Sequence, residues 1–149
     1  MKVKDIMDTF PYLIRTSDTF EHLIKVLDEV QYRVVFVVDR EDKLVGVVTE
    51  VDLVKALIPK YLSMDELLIP AMDENYFEKK CLENRNLAIT EIMTKTILLV
   101  HEDDAVIKAA ALMVVHKIRT LPVVKDRKVV GIVHLINLIR YMMNILTRD

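Results

Sequence analysis

Phe20, Leu23, Ile24 and Leu27 recur at the spacing that gathers apolar side chains on one face of a helix. The runs Val34-Val35-Phe36-Val37-Val38 and Leu44-Val45-Gly46-Val47-Val48 are unbroken and rich in β-branched residues, which predicts two buried strands. The charged stretch Asp39-Arg40-Glu41-Asp42 between them predicts a turn. A short apolar segment, Tyr12-Leu13-Ile14, comes before the helix, and a second helix is predicted from about Glu50. Asp18, with Glu21 three residues on, reads as the cap of the first helix, which runs to about Val30.

The same order then returns. Ile97-Leu98-Leu99-Val100 is apolar, Asp104 reads as a cap, and Val106, Ala109, Ala110 and Met113 keep helical spacing to about Lys117. Leu121-Pro122-Val123-Val124 and Val129-Val130-Gly131-Ile132-Val133 predict strands joined at Asp126-Arg127, and a last helix starts near Leu135. At an offset of 86 residues Asp5-Ile6-Met7 meets Glu91-Ile92-Met93, Asp18 meets Asp104, Arg33 meets Arg119, and Val37-Val38 meets Val123-Val124. After a one-residue deletion in the second turn, Lys43 meets Lys128, Gly46 meets Gly131 and Leu53 meets Leu138. The chain is therefore a duplicated β-α-β-β-α unit, an α/β fold (α+β in some schemes). Its predicted organisation is a first repeat over 1–58, a helical insertion over 59–88 and a second repeat over 89–149. In the insertion, Ser63-Met64-Asp65-Glu66 opens like a capped helix, and 73–82 predicts another.

Composition narrows the function. The 149 residues are 52% hydrophobic and 30% charged, with net charge -2, so a filled core is expected and a nucleic-acid surface is not. A lone Cys81 suits a reducing compartment, and no apolar run is long enough for a membrane span, so a soluble cytoplasmic protein is expected. The only glycines are Gly46 and Gly131, which excludes glycine-rich phosphate loops. His22, His101, His116 and His134 are scattered without metal-binding spacing, and no nucleophile has a companion base. Neither a metal nor enzymatic activity is expected.

Ile92-Met93-Thr94, Val100-His101-Glu102-Asp103-Asp104, the run from His116 through Val124 (H-K-I-R-T-L-P-V-V), Val129-Val130-Gly131-Ile132-Val133 and, in the first copy, the run from Leu44 through Leu53 (L-V-G-V-V-T-E-V-D-L) together resemble the CBS-domain family. The resemblance covers nearly the whole chain except the insertion. It implies two CBS repeats packed through their sheets as a pseudo-two-fold pair, a Bateman module. The clefts between the repeats are implied to take adenosine-containing ligands such as AMP, ADP, ATP or S-adenosylmethionine. The ligand is regulatory and no cofactor is required. The module is expected to act on an unknown partner in trans.

By that resemblance the better site pairs Thr49 and Asp52 with Thr96, Ile97, Arg119, Thr120 and Pro122. A carboxylate such as Asp52 accepts hydrogen bonds from ribose hydroxyls, backbone near Ile97 would read the adenine edge, and Arg119 suits phosphate oxygens. His116 and Lys117 are further phosphate candidates, or else solvated residues at a helix end. Thr49 and Asp52 equally fit a helix capping box, and the two roles are compatible. The second copy has His134 and Asn137 in their places, so a weaker second site of His134 and Asn137 with Tyr12, Leu13, Arg33 and Val34 is expected to be degenerate or empty.

The last predicted helix, from Leu135 on, is apolar around most of its circumference, which calls for burial in a homodimer or beneath the insertion. The alternative function is a ligand-independent dimerisation or interaction scaffold.

Overall fold

The computed structural model describes residues 1–9 and 11–148; the side chain of Ser63, part of the predicted insertion cap, lies outside the described set. The first half carries β1 (Leu13–Arg15), α1 (Phe20–Glu29), β2 (Val34–Val38), β3 (Leu44–Thr49) and the six-residue α2 (Glu50–Lys55). The second carries α4 (Val106–Val115), β4 (Thr120–Lys125), β5 (Lys128–His134) and α5 (Leu135–Leu146). Between them lie three 3-10 turns, Lys60–Ser63, Glu66–Ala71 and Ile89–Glu91, and α3 (Tyr76–Glu83). This is the mixed α/β duplication that the pattern predicts. The first predicted insertion helix is a 3-10 turn, capped where the Asp65 carboxylate accepts the Leu67 N–H at 3.1 Å.

In the first sheet β1 runs parallel to β2, with Leu13 opposite Phe36, and β2 runs antiparallel to β3, with Val34 opposite Thr49. In the second sheet β4 and β5 are antiparallel, with Thr120 opposite His134. The register slips at Val37/Val38 and again at Val123/Val124, so the duplication extends to the bulges.

Three expectations need correcting. Ile97-Leu98-Leu99-Val100 is not a strand; only Val100 bridges to Val123. In the first copy the Phe36 N–H reaches the Tyr12 carbonyl at 3.2 Å, whereas the residue equivalent to Phe36 is Pro122, which has no N–H to give. The caps also sit one residue later than expected. Thr49 aside, the helices begin after Thr19 and Ala105, because Asp18 and Asp104 turn back to accept the Arg15 and His101 N–H groups at 2.8 and 2.7 Å. Finally α4 stops at Val115. Lys117 takes a left-handed φ of 54°, and the Ile118 N–H closes onto the Met113 carbonyl at 3.0 Å, a Schellman-type stop built without glycine.

Each repeat has its own core, but the two trade their leading segments. Val3 is fully buried in the core of the second repeat with Val106, Ala109, Met113, Leu121 and Val133, and Ile6 and Met7 pack against it. Ile89 and Ile92 are buried in the core of the first repeat with Phe20, Leu23, Val35 and Val48. The backbone repeats the trade. Asp8 pairs with Ile132 and Thr94 with Val47; Lys2 bridges to Ala105 and Ala88 to Thr19. These are equivalent positions at the repeat offset. The glycines make the approach possible: a Cβ on Gly46 would meet Met93 Sδ and Cγ, and one on Gly131 would lie 2.7 Å from the Asp8 carbonyl oxygen and 2.9 Å from Met7 Sδ. A third cluster of Val34, Phe36 and Ile132, with Tyr32, Leu44, Val47 and Val129, joins the two sheets.

On α5 only Asn137 and Leu138 are buried, and Ile139, Met142, Met143, Ile145 and Leu146 are exposed. The insertion does not cover that face.

Candidate functional site

The sheet ends bring the chemistry together. Because Val34 pairs with Thr49 and Thr120 pairs with His134, the start of one strand and the end of its neighbour meet in each repeat. The two ends face each other across a cleft of about 710 Å³, within the range of small-molecule sites.

Thr49 closes β3 and caps α2. Its hydroxyl accepts the Asp52 N–H at 3.4 Å, and Asp52 Oδ2 accepts the Thr49 N–H at 2.9 Å. The Thr49 hydroxyl also donates to Oδ2 at 3.2 Å, while Oδ1 receives the Thr94 hydroxyl at 3.4 Å. Asp52 thus ties its own helix to the lead segment of the other repeat. A carboxylate offers about four lone-pair sites, so Oδ1 retains room for a further donor.

All seven residues of the better expected site, Thr49, Asp52, Thr96, Ile97, Arg119, Thr120 and Pro122, line this one cleft. The Arg119 side chain has no ion-pair partner among the described residues, and it is exposed. Lys117, also exposed, lines the cleft from a left-handed backbone, a conformation that costs a non-glycine residue about 1–2 kcal/mol. His116 caps the end of α4 and does not line the cleft.

The second expected site is not assembled in the same way. Arg33, Val34 and His134 line the cleft, but Tyr12, Leu13 and Asn137 do not. Tyr12 and Leu13 are exposed; Asn137 is 6% exposed, and its Oδ1 accepts the His134 N–H at 2.7 Å, a capping bond. The Arg33 guanidinium is held by the carbonyls of Leu27, Asp28 and Val30, at 2.8, 2.6 and 3.0 Å, at the end of α1. All three bonds use Nη1, which ties one edge of the guanidinium to that helix end.

His134 shares a hydrogen bond with the Thr120 hydroxyl at 2.7 Å and stacks on Tyr32, ring centroids 4.1 Å apart and planes inclined by 14°. Burial, and then the Arg119 guanidinium, hold this imidazole below the ordinary histidine range, although the Asp8 carboxylate pulls the other way.

Sequence reasoning missed Tyr32, Glu50 and Thr94, which also line the cleft. Thr94 was within reach of it, because the repeat offset places Thr94 opposite Asp8 in the duplication. Tyr32 had no such signal, since its equivalent is Ile118.

A smaller cup of about 450 Å³ lies in the insertion, lined by Ile58, Leu62, Ile69, Met72, Tyr76 and Phe77 with Asp73 and Glu74 at its rim. It draws polar groups from one segment alone. The cleft gathers them from both repeats, and it is the better site. Among the described residues no cluster of His, Cys, Asp and Glu is arranged to hold a metal, and no helix is long and apolar enough to cross a membrane.

Comparison with known proteins agrees with this architecture. The family model for the CBS domain matches residues 3–59 and 89–144. The chain is 32% identical over 132 residues to an L-aspartate semialdehyde sulfurtransferase of Methanocaldococcus jannaschii, covering 88% of this chain but 21% of that protein, so it spans about a fifth of that relative's length. Among solved structures, the CBS domain pair of protein MJ0100 in complex with 5-methylthioadenosine and S-adenosyl-L-methionine is 29% identical with a TM-score of 0.71, covering 95% of this chain and 99% of that one. CBSX2 in complex with AMP is 26% identical with a TM-score of 0.72, covering 97% and 98%.

Proposed function

This chain belongs to the CBS-domain family, and on that premise we propose that it is a regulatory module binding one adenosine-containing nucleotide in the cleft between its repeats. The observation that carries the reading is the convergence of Thr49, Asp52, Thr96, Ile97, Arg119, Thr120 and Pro122 on that cleft. The lining offers a partner for each part of a nucleotide. Ile97 and Pro122 bound the base, Asp52 Oδ1 accepts from the ribose hydroxyls, and Arg119 and Lys117 receive the phosphate, with Arg119 able to bind it bidentately. The MJ0100 pair and CBSX2, whose fold this chain shares, hold adenosine ligands, which supports the same class here. The sulfurtransferase's chemistry is not carried over, because so little of that protein is matched.

Binding that draws on both repeats alters the angle between them, and a partner that distinguishes the two shapes reads the result. That partner acts in trans. A scaffold role without ligand has one observation in its favour: the Thr49–Asp52 capping box is complete, so those residues have a structural job already.

Titration calorimetry with AMP, ADP, ATP and S-adenosylmethionine separates the two. The expected result is micromolar binding of one equivalent per chain, weakened at least tenfold in Asp52→Ala. Arg119→Ala is expected to weaken AMP and spare adenosine. Binding unchanged in Asp52→Ala would move the site elsewhere, and no binding by the folded protein would favour the scaffold.

A further inference from the structure

Among the described residues the two sides of the pseudo-two-fold axis contribute unequally to the cleft. Along its floor, equivalent residues of the two repeats face each other: Val34 and Thr120, Phe36 and Pro122, Thr49 and His134. The equivalence extends to Gln31 and Lys117, Tyr32 and Ile118, and Arg33 and Arg119, and it fails at the helix start and the lead segment: Asp52, Thr94 and Leu98 line the cleft, while their counterparts Asn137, Asp8 and Tyr12 do not.

Tyr32 borders the open cleft and reaches from it toward the other side. Its ring is stacked on His134, the counterpart of Thr49, at 4.1 Å and 14°. Its hydroxyl points at Asp8 Oδ2, 3.5 Å away, and Asp8 is the counterpart of Thr94. One side chain therefore touches the equivalents of two residues that line the open cleft. The residue equivalent to Tyr32 is Ile118, which lines the cleft and has neither a flat ring nor a hydroxyl.

We propose that the Tyr32 ring fills the second cleft as a built-in occupant, and that a nucleoside can enter there only when the ring leaves. The proposal rests on the nucleotide reading of the open cleft for the class of ligand. Tyr32 presents what a nucleoside presents: a flat ring for the His134 face and a hydroxyl aimed at a carboxylate. With the ring gone, an adenine base takes the face of a neutral imidazole, and a ribose hydroxyl donates to Asp8. While the ring is in place, apparent affinity for the second cleft is reduced by the fraction of molecules in which it is open.

The test is calorimetric titration of the full chain with adenosine as the probe. The decisive comparison is Asp52→Ala against Tyr32→Ala/Asp52→Ala. The expected result is one additional equivalent per chain in the double variant. Asp52→Ala/Tyr32→Phe, which keeps the ring and loses the hydroxyl, is expected to gain none. Circular dichroism and thermal melting establish folding; if Tyr32→Ala is unfolded, Tyr32→Leu keeps apolar bulk beside Val34 and is read by the same criterion. No added equivalent on removing the ring overturns the proposal, and so does a gain in the phenylalanine variant. Should Asp52→Ala bind like the native chain, the open-cleft site is misplaced, but an equivalent gained with Tyr32→Ala still supports the plug.

Discussion

His134 touches both repeats, and its protonation is linked to their association. Burial under Tyr32 and the nearby Arg119 charge favour the neutral ring, so the folded chain takes up the proton less readily than the unfolded chain. Where the unfolded state binds more protons, stability rises with pH. The contribution is therefore full above the ordinary histidine value of about 6.5 and lost as pH falls through the lower folded value. Thermal midpoints should fall between pH 7 and pH 5 in the native chain. His134→Phe keeps a ring against Tyr32 and takes no proton, so its midpoint should be flatter over that window. Asp39 and Asp104 are also held below their ordinary range, first by backbone donors at Lys43 and His101 respectively. Being depressed carboxylates, they withdraw their stabilisation only as pH falls below about 4, which keeps the two effects apart.

At the scale of elements, a lead segment lies close across a strand glycine in each repeat. The two repeats do this with unequal tolerance. At Gly46 the obstacle is the flexible Met93 side chain; at Gly131 it is the Asp8 backbone carbonyl, which accepts the Ile132 N–H at 2.8 Å while the Asp8 N–H donates to the Ile132 carbonyl at 2.9 Å. Gly131→Ala should destabilise by about 1–3 kcal/mol, the usual range for overpacking, and Gly46→Ala by distinctly less, read from denaturant midpoints.

The elements themselves were largely legible. β2 spans the five residues Val34–Val38 that the apolar run marks, because an unbroken β-branched run has few other ways to bury itself. What escaped was non-local. The missing strand at Ile97 follows from Pro122, more than twenty residues away, having no N–H. The cap at Thr19 follows from Asp18 being engaged with Arg15 and His22. In the site, residues with a counterpart in the duplication could be carried across from a resemblance, and all seven of the open site reached the cleft. Arg33 has its counterpart in Arg119, but nothing in its position along the chain reveals that three carbonyls gather on its Nη1.

At the scale of the whole molecule, the unsatisfied feature is apolar surface. Ile139, Met142, Met143 and Leu146 on α5 and Ile107, Val114 and Val115 on α4 are all exposed. Groups of this kind mark interaction surfaces, and two-fold pairing of identical chains buries them most simply. The expected state is a homodimer, and Met142→Glu with Leu146→Glu should shift light-scattering mass toward the monomer without unfolding it. Unchanged mass would place the contact on another face.

The traded lead segments say something about history as well as stability. Had one ancestral unit folded its own lead onto its own glycine-bearing strand, two units would have met as independent bodies. Instead each finishes its neighbour, as separate chains do when they swap arms. Among the described residues of 60–71 none belongs to the three hydrophobic clusters, so for the cores that stretch acts as a tether, and a tether raises the effective concentration of one half near the other.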